Sequence, residues 1–130
     1  MKKNGILHSE ISCVISKMGH YDEIAIADCG LPIPDGVKRI DLALAYQKPG
    51  FLETLDVFLQ DFHYEYVILA EEIKENGEFL QAIETRIGKE NIKYVSHDAL
   101  KKETASCKAV IRTGEIIPYA NMILVSGVIF

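Results

Sequence analysis

A chain of 130 residues with 48% apolar and 25% charged side chains has the composition of an ordinary folded domain, which excludes disordered and fibrous classes and, by length, implies a single domain over residues 1–130. Its formal charge of −5, from 19 acidic residues against 14 Lys and Arg with no basic cluster, argues against nucleic acid as a partner. No segment approaches the ~18 apolar residues of a membrane span and the opening MKKNGILHSE lacks a signal-length apolar run, so a cytoplasmic location is expected, while Cys13, Cys29 and Cys107 are too scattered for a disulfide framework or a zinc knuckle.

Along the chain, Ser9 precedes Ile11, Val14, Ile15 and Met18, an i, i+3, i+4, i+7 stripe that predicts a helix capped by Ser9 and closed at Gly19. After His20, the run Glu23 to Asp28 reads as a short buried strand ending on a carboxylate. The loop that follows, within IADCGLPIPDG, is stiff: Pro32 and Pro34 fix φ and restrict the residues before them, while Gly30 and Gly36 permit backbone angles closed to other residues. A shaped loop past the carboxyl end of a strand is where α/β proteins place ligands. Lys38 to Leu44 predicts a second strand and Phe51 to Phe62 a helix with Leu52, Leu55, Phe58, Leu59 and Phe62 on its buried face. Tyr66 to Ala70 (YVILA) has the unbroken apolar character of a strand covered on both faces.

Phe79, Leu80, Ile83 and Ile87 recur at helical spacing up to Gly88, Ile92 to Val95 is a further strand, and Ser96-His97-Asp98 opens a short helix ending near Cys107. Two strands close the chain, Ala109 to Arg112 and Met122 to Phe130, joined by TGEIIPYAN. The alternation predicts a three-layer α/β/α fold with a mostly parallel central sheet and an antiparallel C-terminal strand pair.

Motifs for nucleotides are missing: no GxGxxG follows the first strand, no GxxxxGK[ST] occurs, and the prolines of GLPIPDG remove amides that a phosphate cradle would use. GxSxG and HExxH are also lacking, so any site must be assembled from scattered groups. The candidates are His8, His20, His63 and His97 with Asp28, Tyr119 and Asn121. His63 stands in the DFHYEY loop and reads as solvated, and His8 as a residue beside the Ser9 cap. His20 and His97 sit at element edges, where sites form, although His97 also reads as a first-turn residue of a helix capped by Ser96. Asp28 has a structural reading too, since aspartate often bonds to the turn after a strand. Tyr119 and Asn121 in PYAN are equally turn residues after Pro118, and Arg112 and Glu115 in RTGE suit a structural ion pair or an interface. A metal set of His20, Asp28 and His97 has suitable ligand types, but no short-spaced pair supports it.

MKKNGIL, the MGH of Met18 to His20, IADCGLPIPDG, RIDLAL, ILAEEIK, AVIRTGE, PYAN and SGVIF together resemble the D-ribose pyranase (ribose mutarotase) family over essentially the whole chain, most specifically through D-x-G-L-P-x-P and R-T-G-E-x-x-P-Y-A-N. In the sister L-fucose mutarotases a phenylalanine stands near the Leu31 position and the corresponding tyrosine follows a basic residue, so the sequence resembles the ribose branch. It departs from the common pattern at Cys29, where alanine is usual, and at His8, where asparagine is usual. The resemblance implies a cofactor-free isomerase that interconverts the pyranose and furanose forms of free D-ribose, with no metal. It further implies a homodecamer of two stacked pentameric rings with sites between subunits. By position, His20 is the implied catalytic acid, Asp28 and His97 bind sugar, and Tyr119, Ala120 and Asn121 complete the pocket. The competing expectations are a mutarotase of another sugar such as L-fucose and a non-catalytic sugar-binding module associated with ribose transport.

Overall fold

The computed structural model describes residues Met1–Phe130. A six-stranded sheet is formed by β1 (Glu23–Ala27), β2 (Lys38–Asp41), β3 (Tyr64–Ala70), β4 (Ile92–Val95), β5 (Ala109–Arg112) and β6 (Met122–Ser126), in the order β2-β5-β1-β6-β3-β4. The helices are α1 (Ser9–Ile15), α2 (Phe51–Phe58), α3 (Gly77–Ile87) and α4 (His97–Glu103). β1 and β2 each run parallel to β5, and β3 runs parallel to β4. The C-terminal strand is antiparallel as expected, but its partners are β1 and β3 and not β5. Leu124 and Met122 lie opposite Ile24 and Ile26, so β6 enters the middle of the sheet, where its five residues are all buried. A strand apolar at four of its five positions gains most from a central place with helices on both faces.

Alternation along the strands divides the core. Ile24, Ile26, Ile111, Met122 and Leu124 face one side, beneath Ile11 of α1, Leu55 and Phe58 of α2, and Phe79 and Ile83 of α3. Ala25, Ala27, Val110, Ile123 and Val125 face the other, where α4 contributes Leu100 and the stiff loop contributes Leu31, with Ile33 and Val37 partly buried. The second layer is therefore thinner, and the proline-fixed loop supplies part of it. No helix is long and apolar enough to cross a membrane.

Several predicted boundaries move: β2 stops at Asp41 and not Leu44, and β6 at Ser126 and not Phe130. The cap of α1 is His8, whose Nδ1 accepts from the Ile11 backbone N–H at 3.4 Å, and Ser9 is the first helical residue. The helix ends at Ile15 instead of running on to Gly19, because Lys17 and Met18 donate to carbonyls three residues back and tighten the chain into a turn. Met18 still packs on the core from that turn. In α2 the regular helix stops at Phe58, and Phe62 is buried from the turn beyond it.

Candidate active site

β1 delivers Asp28 to the carboxyl edge of the sheet, and the placement of β6 brings Asn121 beside it from 93 positions away. Asn121 is 1% exposed and makes two bonds to the same residue. Its Oδ1 accepts from the Asp28 backbone N–H at 2.9 Å, and its Nδ2 donates to Asp28 Oδ2 at 2.7 Å. The other carboxylate oxygen, Oδ1, accepts from Gly30 N–H at 2.9 Å. The carboxylate is thus fixed on both oxygens, with lone pairs left to accept further donors.

Asp28 opens into a cleft of about 400 Å³ lined also by Gly30, Pro32, His97, Lys101 and Tyr119. His97 begins α4, with Ser96 as the cap accepting from Ala99 N–H at 3.1 Å, and its own backbone N–H donates to the Glu72 carboxylate at 2.9 Å. The imidazole stands edge-on to Tyr119 with ring centroids 5.1 Å apart, and its Nδ1 is buried without a hydrogen-bond partner. A buried polar atom without a partner costs free energy. Tyr119 adopts a left-handed φ of 64°, and Asn121 N–H donates to its carbonyl at 2.8 Å. Ala120 between them is fully buried in the larger core, so it links the cleft wall to the sheet.

Ala120 N–H donates to the Ile117 carbonyl at 3.3 Å, and the segment leading into this turn is held by Glu115, which is 7% exposed. One of its oxygens accepts from Ile116 and Ile117 N–H at 2.9 and 3.1 Å, and the other from Phe51 N–H at 3.1 Å. Arg112 instead bonds Asp41 through both carboxylate oxygens and donates to the Cys29 carbonyl at 3.0 Å. Arg112 and Glu115 are therefore both structural, each with its own partners. Gly114 is required here by close approach, because a Cβ would come within 2.2 Å of the Ala45 carbonyl oxygen.

Lys101 escapes a sequence reading because lysines on a short helix pass for a solvated face. Its signal was the i, i+4 spacing from His97, which puts both on one side of α4. Its ammonium lies 2.9 Å from Asp98, whose carboxyl it holds below the usual carboxylate range.

His20 is elsewhere. It stands before the amino end of β1 while Asp28 follows the carboxyl end, and the strand between them spans roughly 16 Å. Its side chain is 39% exposed, with Nε2 3.5 Å from Glu65. His8 is occupied as a helix cap, and His63 belongs to the turn before β3. No group of three or more His, Cys, Asp or Glu is arranged to hold a metal ion, so the set His20, Asp28 and His97 is not brought together within one chain.

The model of the RbsD / FucU transport protein family matches residues 1–129. A protein of Bacillus cytotoxicus named D-ribose pyranase is 54% identical over 131 aligned positions, covering all of both chains. Bacillus subtilis RbsD, solved in complex with D-ribose, superposes with a TM-score of 0.96 at 47% identity, again over all of both chains. The fucose mutarotase of Streptococcus pneumoniae, solved with L-fucose, gives a TM-score of 0.78 at 25% identity, covering 99% of this chain and 100% of that one.

Proposed function

This chain belongs to the RbsD / FucU transport protein family, and from that membership we propose that it is a D-ribose pyranase, a cofactor-free isomerase of free D-ribose built as one domain. The full-length likeness to D-ribose pyranase at 54% identity, against 25% to the fucose mutarotase, favours the ribose branch. The observation that carries the reading at the site is the doubly held Asp28 carboxylate facing His97 and Tyr119 across an open cleft. A carboxylate that cannot shift accepts two hydroxyls with defined geometry, and an aromatic ring beside it offers a face to a sugar ring.

Ring interconversion breaks one bond at C1, forms another, and moves protons between the oxygens. The anomeric hydroxyl loses one as the bond from C1 to the ring oxygen breaks, and that oxygen gains one, giving the open aldehyde. Closure through O4 instead of O5 reverses both transfers and yields the other ring size. Histidine changes charge near neutral pH and suits the donor role, which we give to His20, while Asp28, His97 and the Tyr119 to Asn121 stretch hold the sugar. Because His20 and Asp28 occupy opposite edges of one sheet, the acid for each cleft comes from a neighbouring copy of the chain. The homo-oligomer, which we take to be a decamer of two pentameric rings in the cytoplasm, is then part of the site.

The test is NMR saturation transfer between the pyranose and furanose signals of D-ribose at catalytic protein concentration. The wild type transfers saturation, and His20→Ala, which alters an exposed residue outside both cores, loses the transfer while keeping fold and assembly. A wild type that binds ribose without accelerating exchange would establish a sugar-binding module instead. Near-native exchange in His20→Ala would remove that residue from the mechanism.

A further inference from the structure

The turn that presents His20 is built against a break in the sheet. β3 and β6 pair regularly through Ile68 with Ile123 and Tyr66 with Val125, but the next pair is Tyr64 with Ser126, so Glu65 is an extra residue with no partner across the ladder. A bulge of this kind turns a side chain out of the regular alternation and is common beside active sites. Gly127 is fitted to it, since a Cβ there would lie 3.0 Å from both Glu65 N and Tyr64 C. From the bulge, the Glu65 carboxylate reaches to 3.5 Å from His20 Nε2.

A face of the imidazole is also held. Tyr21 stacks on it, with ring centroids 3.9 Å apart and planes 19° from parallel. Its backbone is in the left-handed region at φ 66°, a costly conformation for a tyrosine that persists only where the surroundings impose it. Here they do: Tyr21 N–H donates to the Ser126 carbonyl at 2.9 Å, and Ser126 N–H donates to the Asp22 carbonyl at 2.8 Å. Asp22 also accepts from Gly19 N–H at 2.9 Å, and that bond, with Lys108 beside it, holds its carboxyl below the usual range. The solvent-facing ring of His20 is thus fixed by a face and by an edge, more than an ordinary surface histidine needs.

We propose that Glu65 is a positioning residue for ring interconversion: set by its bulge, it holds His20 by Nε2, so that Nδ1 is the nitrogen that exchanges protons with the sugar. This rests on the assignment of His20 to the chemistry. Glu65 touches no substrate; its carboxylate, 3.5 Å from Nε2, orients the ring and leaves Nδ1 to give and take the proton, as a third group orients the base in other acid–base pairs.

The experiment compares wild type, Glu65→Ala, Glu65→Gln and His20→Ala by ribose exchange and by ¹⁵N NMR of histidine-labelled protein without sugar. Glu65→Ala is expected to lower kcat by about tenfold to a hundredfold, by analogy with the loss of outer partners of other catalytic ligands, with KM within about twofold. Its His20 resonances move from those of one fixed tautomer toward those of a free imidazole. Glu65→Gln, which keeps an acceptor oxygen and the backbone of the bulge, recovers part of kcat. An unchanged kcat, an unchanged His20 tautomer, or a loss confined to KM in Glu65→Ala overturns the proposal. An active His20→Ala overturns the assignment of His20 itself, whereas an inactive His20→Ala beside a fully active Glu65→Ala overturns only the role of Glu65.

Discussion

Replacing Asn121 by aspartate changes one group and almost no volume, and it strikes the bond that fixes the Asp28 carboxylate at the cleft. The new Oδ1 still accepts from the Asp28 backbone N–H, as Asn121 does at 2.9 Å. The former Nδ2, however, becomes a carboxylate oxygen facing Asp28 Oδ2 at the 2.7 Å that a hydrogen bond now spans. Two unit charges at that separation, with an effective dielectric of about 20, repel by roughly 6 kcal/mol. Asp28 is partly exposed, so solvent screening reduces this to about 2–3 kcal/mol. At ~3–5 °C per kcal/mol for a chain of this size, the melting temperature of Asn121→Asp at pH 8 falls by roughly 10 °C. The pair relieves the repulsion by sharing a proton, which the separated carboxylates of the unfolded chain would have released. The folded state of the variant therefore binds more protons than its unfolded state, and the deficit shrinks as the pH is lowered from 8 to 5. Thermal melts of variant and wild type across that range measure the difference directly. A deficit that is the same at every pH, or none at pH 8, would refute the argument that Asn121 holds Asp28 through its amide donor.

Glu115→Gln turns one of two acceptor oxygens into a donor that faces a backbone N–H, which costs about 1–3 kcal/mol. Because those N–H groups belong to Ile116, Ile117 and Phe51, we expect a melting temperature several degrees lower and a KM for ribose raised more than kcat is lowered; a change in kcat alone would sever Glu115 from the Tyr119 turn. Cys107 is buried, and burial, with the acids Glu23 and Glu103 nearby, pushes its thiol up to about 12. At pH 8 its thiolate fraction is then on the order of 10⁻⁴. Iodoacetamide at that pH should modify exposed Cys13 and spare Cys107 until the protein unfolds, as peptide mass mapping would reveal; equal rates at the two would contradict the burial of Cys107.

Elements governed by local chemistry were legible in the sequence. The stop at Asp28 and the stiffness that follows it belong to neighbouring residues, and Gly30 closing back on the carboxylate at 2.9 Å is the turn bond that aspartate commonly makes. The stiff loop has a second use that the sequence hid, since Leu31 is buried in the thinner core layer. What could not be read is non-local. A nine-residue connection between β5 and β6 suggests a hairpin, but β6 pairs with β1 and β3, and only that choice sets Asn121 against Asp28. The left-handed backbone of Tyr119 and Tyr21 follows from tertiary hydrogen bonds that no residue-by-residue preference predicts. The cap of α1 falls on His8 and not Ser9 because imidazole and hydroxyl both accept from a first-turn amide, and the competition is settled by side-chain direction.

The central claim, that the proposed site joins His20 of one chain to the Asp28 cleft of another, is tested most directly by complementation. His20→Ala and Asn121→Ala proteins, each inactive alone, are mixed, dissociated and reassembled, and the hetero-oligomers are assayed for ribose ring exchange by saturation transfer. Some mixed interfaces then pair an intact His20 with an intact Asn121, and part of the wild-type exchange returns. Hetero-oligomers of verified composition that stay as inactive as either parent would contradict the shared site and return His20 and Asn121 to a pocket within one subunit.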